Sequence, residues 1–112
     1  MNSRQDLQLQ IDFTGALTVK WTGKANDRRP SAALKPTFER LLGTRRFLRF
    51  DFSELEHMSS STLVVVMKFF KQLNKCGVGF ELRYDEIVAW QRMTFASLNV
   101  LAAAPADMTL VA

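Results

Sequence analysis

The 112-residue sequence predicts a single α/β domain spanning residues 1–112, with a mixed four- to five-stranded sheet carrying three or more helices. Three observations predict it. Short stretches with period-two alternation of apolar and polar residues alternate with longer stretches at helical spacing. A strand, helix and strand follow one another from Phe47 to Tyr84, an order that implies a right-handed crossover between parallel neighbours. The apolar content of 47%, with nine Phe and two Trp against 23% charged residues, suits a packed core rather than a disordered chain.

The elements follow in order. Leu7, Leu9, Ile11 and Phe13 alternate with polar residues, Thr14-Gly15 interrupts, and Leu17, Val19 and Trp21 resume, which reads as a β-hairpin with one buried face. Gly23 to Pro30 is rich in turn formers and charge and is read as an exposed loop, with Asn26, Asp27 and Arg28 as a candidate contact surface. Leu34, Phe38, Leu41 and Leu42 recur at helical spacing between Ser31 and Leu42, and Gly43 is placed to end that helix. Pro36 lacks a backbone donor, so the regular helix is expected mainly after Lys35.

Phe47 to Phe52 is a nearly continuous apolar run broken by Arg49, as expected of a strand inside a sheet. After a loop, a helix is predicted from Ser60 to Lys75, with Lys68, Lys71, Gln72 and Lys75 on its polar side and Gly77 as its stop. Val78, Phe80, Leu82 and Tyr84 form another alternating strand. A last helix is read from Glu86 to Leu98, capped by Asp85-Glu86, with Ile87, Trp90, Met93, Thr94 and Leu98 as its inner stripe. Met108 to Val111 reads as a short final strand.

The most informative segment is Ser59-Ser60-Ser61-Thr62, four hydroxyls between the Phe47 strand and an apolar helix. A hydroxyl at a helix start caps free N–H groups, and a phosphorylated one places a dianion where those groups and the helix dipole favour negative charge. The same position suits a cap or a switch. The crossover sets it at the carboxyl end of the Phe47 strand, the rim where open α/β sheets carry their sites.

Phe50-Asp51-Phe52 followed by Ser59-Ser60-Ser61-Thr62 resembles the STAS domain of anti-sigma-factor antagonists, in which a hydrophobic-Asp-hydrophobic strand leads to Asp-Ser-Ser/Thr-Gly at the start of an apolar helix. Ser59 stands at the Asp position, Ser60 at the phosphorylatable Ser and Thr62 at the Gly. These departures, with Tyr84-Asp85 and Trp90-Gln91 further on, are similar to those of a smaller STAS-like group that includes the SiaC-type regulatory phosphoproteins. The resemblance covers roughly residues 15 to 101.

It implies a bacterial regulator acting by phosphorylation-controlled partner switching. Ser60 would be the phosphoacceptor, with Ser59 and Ser61 as alternatives. His57, Met58, Ser59, Ser60, Ser61, Thr62, Asn26, Asp27 and Arg28 would meet the partner. The implied partners are a regulatory serine kinase of anti-sigma type, a phosphatase and an effector enzyme, for a cytoplasmic monomer or weak dimer without catalysis of its own. A SiaC-like activator of a nucleotide cyclase, a nucleic-acid-binding module using the Arg clusters, and an unphosphorylated adaptor are the alternatives.

Other chemistry finds no support in the spacing. His57 is the only histidine, and it lies near Ser60, Glu54 and Glu56, but no nucleophile elbow or oxyanion hole accompanies it. The glycines lack phosphate-loop spacing, so no nucleotide cofactor is expected. Cys76 has no Cys or His at metal-ligand spacing, and Asp51, Asp85, Glu54, Glu56 and Glu86 are read as caps and solubilising charges, so no metal is expected. Met1 to Asp12 lacks the apolar core of a signal peptide, and Leu63 to Met67 is too short to cross a bilayer, so no membrane contact is expected. The net charge of +4, with Arg28-Arg29 and Arg45-Arg46-Arg49, reads as solvated loop charge rather than a nucleic-acid footprint.

Overall fold

In the computed structural model, residues 6–103 are described. The order is β1 (Gln8–Asp12), β2 (Leu17–Ala25), α1 (Pro30–Thr44), β3 (Leu48–Asp51), β4 (Leu55–Met58), α2 (Ser60–Lys75), β5 (Phe80–Arg83) and α3 (Ala89–Ala103). The sheet is mixed and five-stranded, as expected: β1 pairs antiparallel with β2, and β3 pairs parallel with both β2 and β5. The strand read at Met108 to Val111 lies outside the described residues.

Alternation along β2 sets the layering. Leu17, Val19, Trp21, Gly23 and Ala25 are buried while the residues between them stay partly exposed, because successive strand side chains point to opposite faces. All three helices cover the buried face. Trp21 packs on Phe38 of α1, Phe50 of β3 packs on Phe69 and Phe70 of α2, and Phe52 stacks on Phe95 of α3. On the opposite face Lys20 bridges to Glu54 at 2.8 Å, and Arg49 meets Glu81 in the neighbouring strand.

At the β1–β2 turn, Asp12 accepts hydrogen bonds from the Thr14 backbone N–H at 2.9 Å and its hydroxyl at 2.6 Å. These bonds favour the charged carboxylate and hold its pKa below the ordinary Asp value. A depressed folded-state pKa means that this stabilisation is present above the unfolded value and is lost as pH falls through the folded one. Thr14→Val should therefore raise the Asp12 pKa in a carboxylate NMR titration and remove that part of the acid dependence. An unchanged Asp12 titration would show that the turn does not hold the carboxylate.

Several elements differ from expectation. The loop expected from Gly23 to Pro30 is confined to Asn26–Arg29, because β2 continues to Ala25. The β2–β3 pairing ends at Lys20, and Gly23, at φ 84°, opens the β2–β4 ladder with a register shift between it and Lys24; a positive φ is readily adopted only by glycine. Helix α1 starts at Pro30 rather than after Lys35. Pro30 occupies the first turn, where no donor is needed, and burial of Leu34, Phe38 and Leu41 on one stripe holds the helix across Pro36. The helix ends after Thr44 rather than at Gly43, with Arg45 in the left-handed region at φ 56°.

Leu55–Met58 is a strand rather than a loop, with only Leu55 buried. Helix α2 has its expected bounds, and Gly77, at φ 73°, follows its C-cap residue Cys76. The start of α3 lies at Ala89 rather than Glu86. Its inward stripe is Gln91, Phe95 and Leu98, whereas Ile87 and Met93 are 89% and 71% exposed. Trp90 is half-buried against Phe95, with ring centroids 5.7 Å apart.

Candidate functional site

The hydroxyl cluster begins where β4 ends. Parallel pairing sets Lys24 opposite His57 and Ala25 opposite Met58, and the Ser59 N–H donates to the Ala25 carbonyl at 2.9 Å. The segment after β2 and the start of α2 are thereby joined at one rim. Asn26, Asp27 and Arg28 are exposed there beside the hydroxyls, so the two expected contact segments come together. Asp27 accepts from the Arg29 N–H at 2.8 Å, a local turn that leads the chain into α1. Below this loop a cleft of about 380 Å³ is lined by Lys24, Asn26, Asp27, Pro30, Leu34 and Thr62, among others.

The four hydroxyls have different environments. Ser59, in extended conformation, is the N-cap of α2: its Oγ accepts from the Thr62 N–H at 3.2 Å and pairs with Thr62 Oγ1 at 2.9 Å. Thr62 is 1% exposed. These two residues stand at the positions of the motif's Asp and Gly, and together they form a closed capping pair. Ser60 and Ser61 are exposed, and neither hydroxyl has a hydrogen-bond partner among the described residues. The site thus divides into a structural pair and an accessible pair.

The electrostatics favour an anion at the accessible pair. No acidic residue occupies the first turn of α2. The Leu63 N–H bonds the Ser59 carbonyl and the Thr62 N–H bonds Ser59 Oγ, which leaves the Ser60 and Ser61 N–H groups unpaired among the described residues. An added negative charge would meet two open donors and the positive end of the helix dipole.

His57 is exposed on β4 and Met58 is half-buried. Arg28-Arg29 precede α1 and Arg45-Arg46 follow it, so about 20 Å of helix separates the two clusters. They do not form one patch. Arg46 is also engaged, its Nη2 donating to the Gly15 carbonyl at 2.8 Å. No group of three or more His, Cys, Asp and Glu able to hold a metal occurs among the described residues, and none of their helices is long and apolar enough to cross a membrane.

The residue that sequence reasoning missed is Gln91, which is 1% exposed. Its Nε2 donates to the carbonyls of Leu55 at 2.9 Å and Ser53 at 3.3 Å, and its Oε1 accepts from the Asp85 N–H at 2.7 Å. It bridges the break between β3 and β4 to the turn before α3, and so fixes the strand that delivers Ser59. The only signal for it was Trp90-Gln91 in the family resemblance; a polar residue beside Trp90 otherwise reads as surface.

No protein-family model and no curated protein matches the chain. Among solved structures, an anti-sigma factor antagonist from Mycobacterium paratuberculosis matches with a TM-score of 0.67 at 18% identity, covering 89% of this chain and 86% of that one. The fold is STAS-like. An uncharacterized protein of the DUF3478 family with a SpoIIAA-like fold, from Shewanella loihica PV-4, aligns over 71% of this chain and 67% of its own at 15% identity and a TM-score of 0.48. In the STAS-like frame, the five-stranded sheet with helices on one face carries the hydroxyl cluster at the carboxyl end of β4, beside the end of β2, rather than at the end of the Phe47 strand as expected, because β4 intervenes between that strand and α2.

Proposed function

We propose that this domain is a bacterial signalling regulator whose partner choice is set by phosphorylation of Ser60. The observation that carries this reading is the division of the cluster: Ser59 and Thr62 cap α2, while Ser60 is exposed in the first turn with open N–H groups beside it. A phosphoserine adds about −1.5 to −2 charges at pH 7. The free domain accommodates that charge at a helix N-terminus. In a complex that covers the rim, the same charge loses its water and meets whatever the partner presents, so binding weakens without unfolding. The adjoining residues Asn26, Asp27, Arg28, His57 and Met58 complete the contact surface.

In this reading the kinase is of the anti-sigma type, a phosphatase resets the switch, and the domain catalyses nothing itself. The STAS-like fold supports the assignment, as does the separation of the two Arg clusters, which disfavours a nucleic-acid footprint.

The test is peptide mass spectrometry of the protein recovered from its native cells, joined to titrations of the Ser60→Ala and Ser60→Asp proteins against the kinase that co-purifies with the alanine variant. We expect a phosphate on Ser60 and an affinity for Ser60→Asp lower by tenfold or more, about 1.4 kcal/mol. Equal binding by the two variants, or an unmodified hydroxyl cluster in cells where the alanine variant signals normally, would sink the assignment.

A further inference from the structure

Strand β5 ends the sheet, and no described strand pairs with its outer edge. Its inner edge is engaged: the Gly79 carbonyl accepts from the Leu48 N–H at 3.0 Å, and the Arg83 carbonyl accepts from the Phe52 N–H at 2.8 Å. Backbone groups alternate in direction along a strand, so those of Glu81 also face β3 while those of Phe80, Leu82 and Tyr84 point outward. A shallow trough of about 480 Å³ lies open at Leu82, Arg83, Tyr84 and Asn99 of α3, among others. Phe80 and Leu82 are buried beneath the helices, which sets Glu81 and Arg83 together on the other face of the sheet. Glu81 meets Arg49 of β3, and Arg83, whose side chain is 57% exposed, approaches Glu81 at 3.7 Å. Edges that avoid pairing commonly carry charges that repel an incoming strand. This one carries one charge of each sign, two residues apart.

We propose that β5 pairs antiparallel with β5 of a second copy of this chain, about a two-fold axis at Leu82, so that two five-stranded sheets become one. The register follows from the edge itself. A two-fold ladder closes only where outward backbone groups meet outward groups, which requires the axis to pass through a residue rather than between two. An axis at Glu81 would oppose two glutamates, and one at Arg83 would oppose two arginines. With the axis at Leu82, Glu81 of each copy faces Arg83 of the other. That pair is a non-hydrogen-bonded one, in which Cα atoms stand about 4.5 Å apart and side chains are closest. On the helix side Leu82 faces its own copy, and Phe80 faces Tyr84. The other edge offers no such match: Asp12 is the only charge in β1, and Thr14 already holds it. Pairing of β5 with β1 of a further copy would not close and would generate a fibre. Because the second copy runs antiparallel, the two hydroxyl rims lie at opposite ends of the joined sheet. The dimer is therefore bivalent, and both Ser60 side chains stay accessible, independent of their phosphorylation. About six backbone hydrogen bonds and two charge pairs make a small, weak interface.

The experiment is sedimentation velocity of the full chain from about 10 μM to about 1 mM, joined to amide NMR spectra over the same range. The mass should rise with concentration from 12.8 kDa toward twice that value and stop there, with shifts at Phe80, Leu82 and Tyr84. Arg83→Glu, at an exposed position, sets glutamate against glutamate and should weaken association at least tenfold, about 1.4 kcal/mol, with an otherwise native spectrum. Glu81→Arg sets arginine against arginine and should do the same. An equimolar mixture of the two variants should associate again, because each glutamate then faces an arginine. Should Glu81→Arg, which also removes the partner of Arg49, lose the native spectrum, Arg83→Glu decides alone. A protein monomeric throughout, undiminished association of Arg83→Glu, two folded charge variants that fail to associate when mixed, growth beyond a dimer, or shifts confined to β1 or α2 would overturn the proposal. Ser60→Asp should dimerise as the parent does, whatever its effect on the partner proposed above. A changed dimerisation would place the contact at the hydroxyl rim and exclude the β5 edge.

Discussion

Replacing Phe52 with alanine is expected to lower the stability of the domain by ~3–5 kcal/mol, enough to shift its thermal midpoint downward by roughly 10–20 °C. Phe52 is fully buried at the end of β3. Its ring stacks on Phe95 of α3, with centroids 4.3 Å apart and planes 11° from parallel, and it leans on Trp21 of β2 at 5.0 Å. It therefore joins the sheet to the one helix that follows β5, and its removal leaves a cavity bordered by rings that cannot collapse without moving their elements. Phe52→Leu keeps much of the volume and should cost clearly less than the alanine change. Urea denaturation of both variants checks the order. Equal losses would mean that stacking geometry matters and volume does not, and a loss below about 1 kcal/mol for alanine would refute the role of Phe52 as the α3 anchor.

The parts of the fold legible in the sequence are those in which one physical signal dominates. The hairpin alternates cleanly because one face of β1 and β2 meets the core, and α2 declares itself through a wide apolar face opposed by lysines. Strand β4 gives no such signal: of Leu55, Glu56, His57 and Met58 only Leu55 is buried, so period two cannot emerge, and parallel pairing with distant β2 creates the strand. The end of β2 was hidden for the opposite reason. Gly23 and Ala25 are buried but small, and a glycine beside charge reads as a turn. Helix α3 misled through composition, since Ile87 and Met93 look like core residues yet face solvent while Gln91 points inward.

The same distinction runs through the site. Its place at the carboxyl end of a strand followed from strand order, although the strand is β4 rather than β3, and its likeness to the STAS motif from Phe50-Asp51-Phe52 and the hydroxyls, whereas the assignment of Ser59 and Thr62 to capping required three-dimensional hydrogen bonds. Four adjacent hydroxyls are chemically alike in a sequence. Helix geometry alone distinguishes the pair turned inward from the pair left outside.

Gln91 carries the second large effect. Substitution by leucine fills the space but removes two donors and one acceptor, leaving the Leu55 and Ser53 carbonyls and the Asp85 N–H without their partner. Each buried polar group so stranded costs about 1–3 kcal/mol, and partial solvent access at Ser53 and Asp85 brings the expected total to ~2–4 kcal/mol. Gln91→Glu is more discriminating, because its shape is conserved while the charge is new. An ionised carboxylate there would face two carbonyl oxygens in a buried site, so the folded protein favours the protonated acid and raises its pKa above the unfolded value. The folded state then binds more protons than the unfolded one between those two values, and stability must fall as pH rises above about 4.3, the ordinary value for Glu. Denaturation of Gln91→Glu across mildly acidic to neutral pH, compared with the parent protein, measures this directly. A pH dependence identical to the parent's would mean that the side chain has swung out to solvent and that the β3–β4 break needs no bridge. A falling curve would place Gln91 between the turn before α3 and the strand that presents Ser59, so that stress at either end reaches the other through three hydrogen bonds.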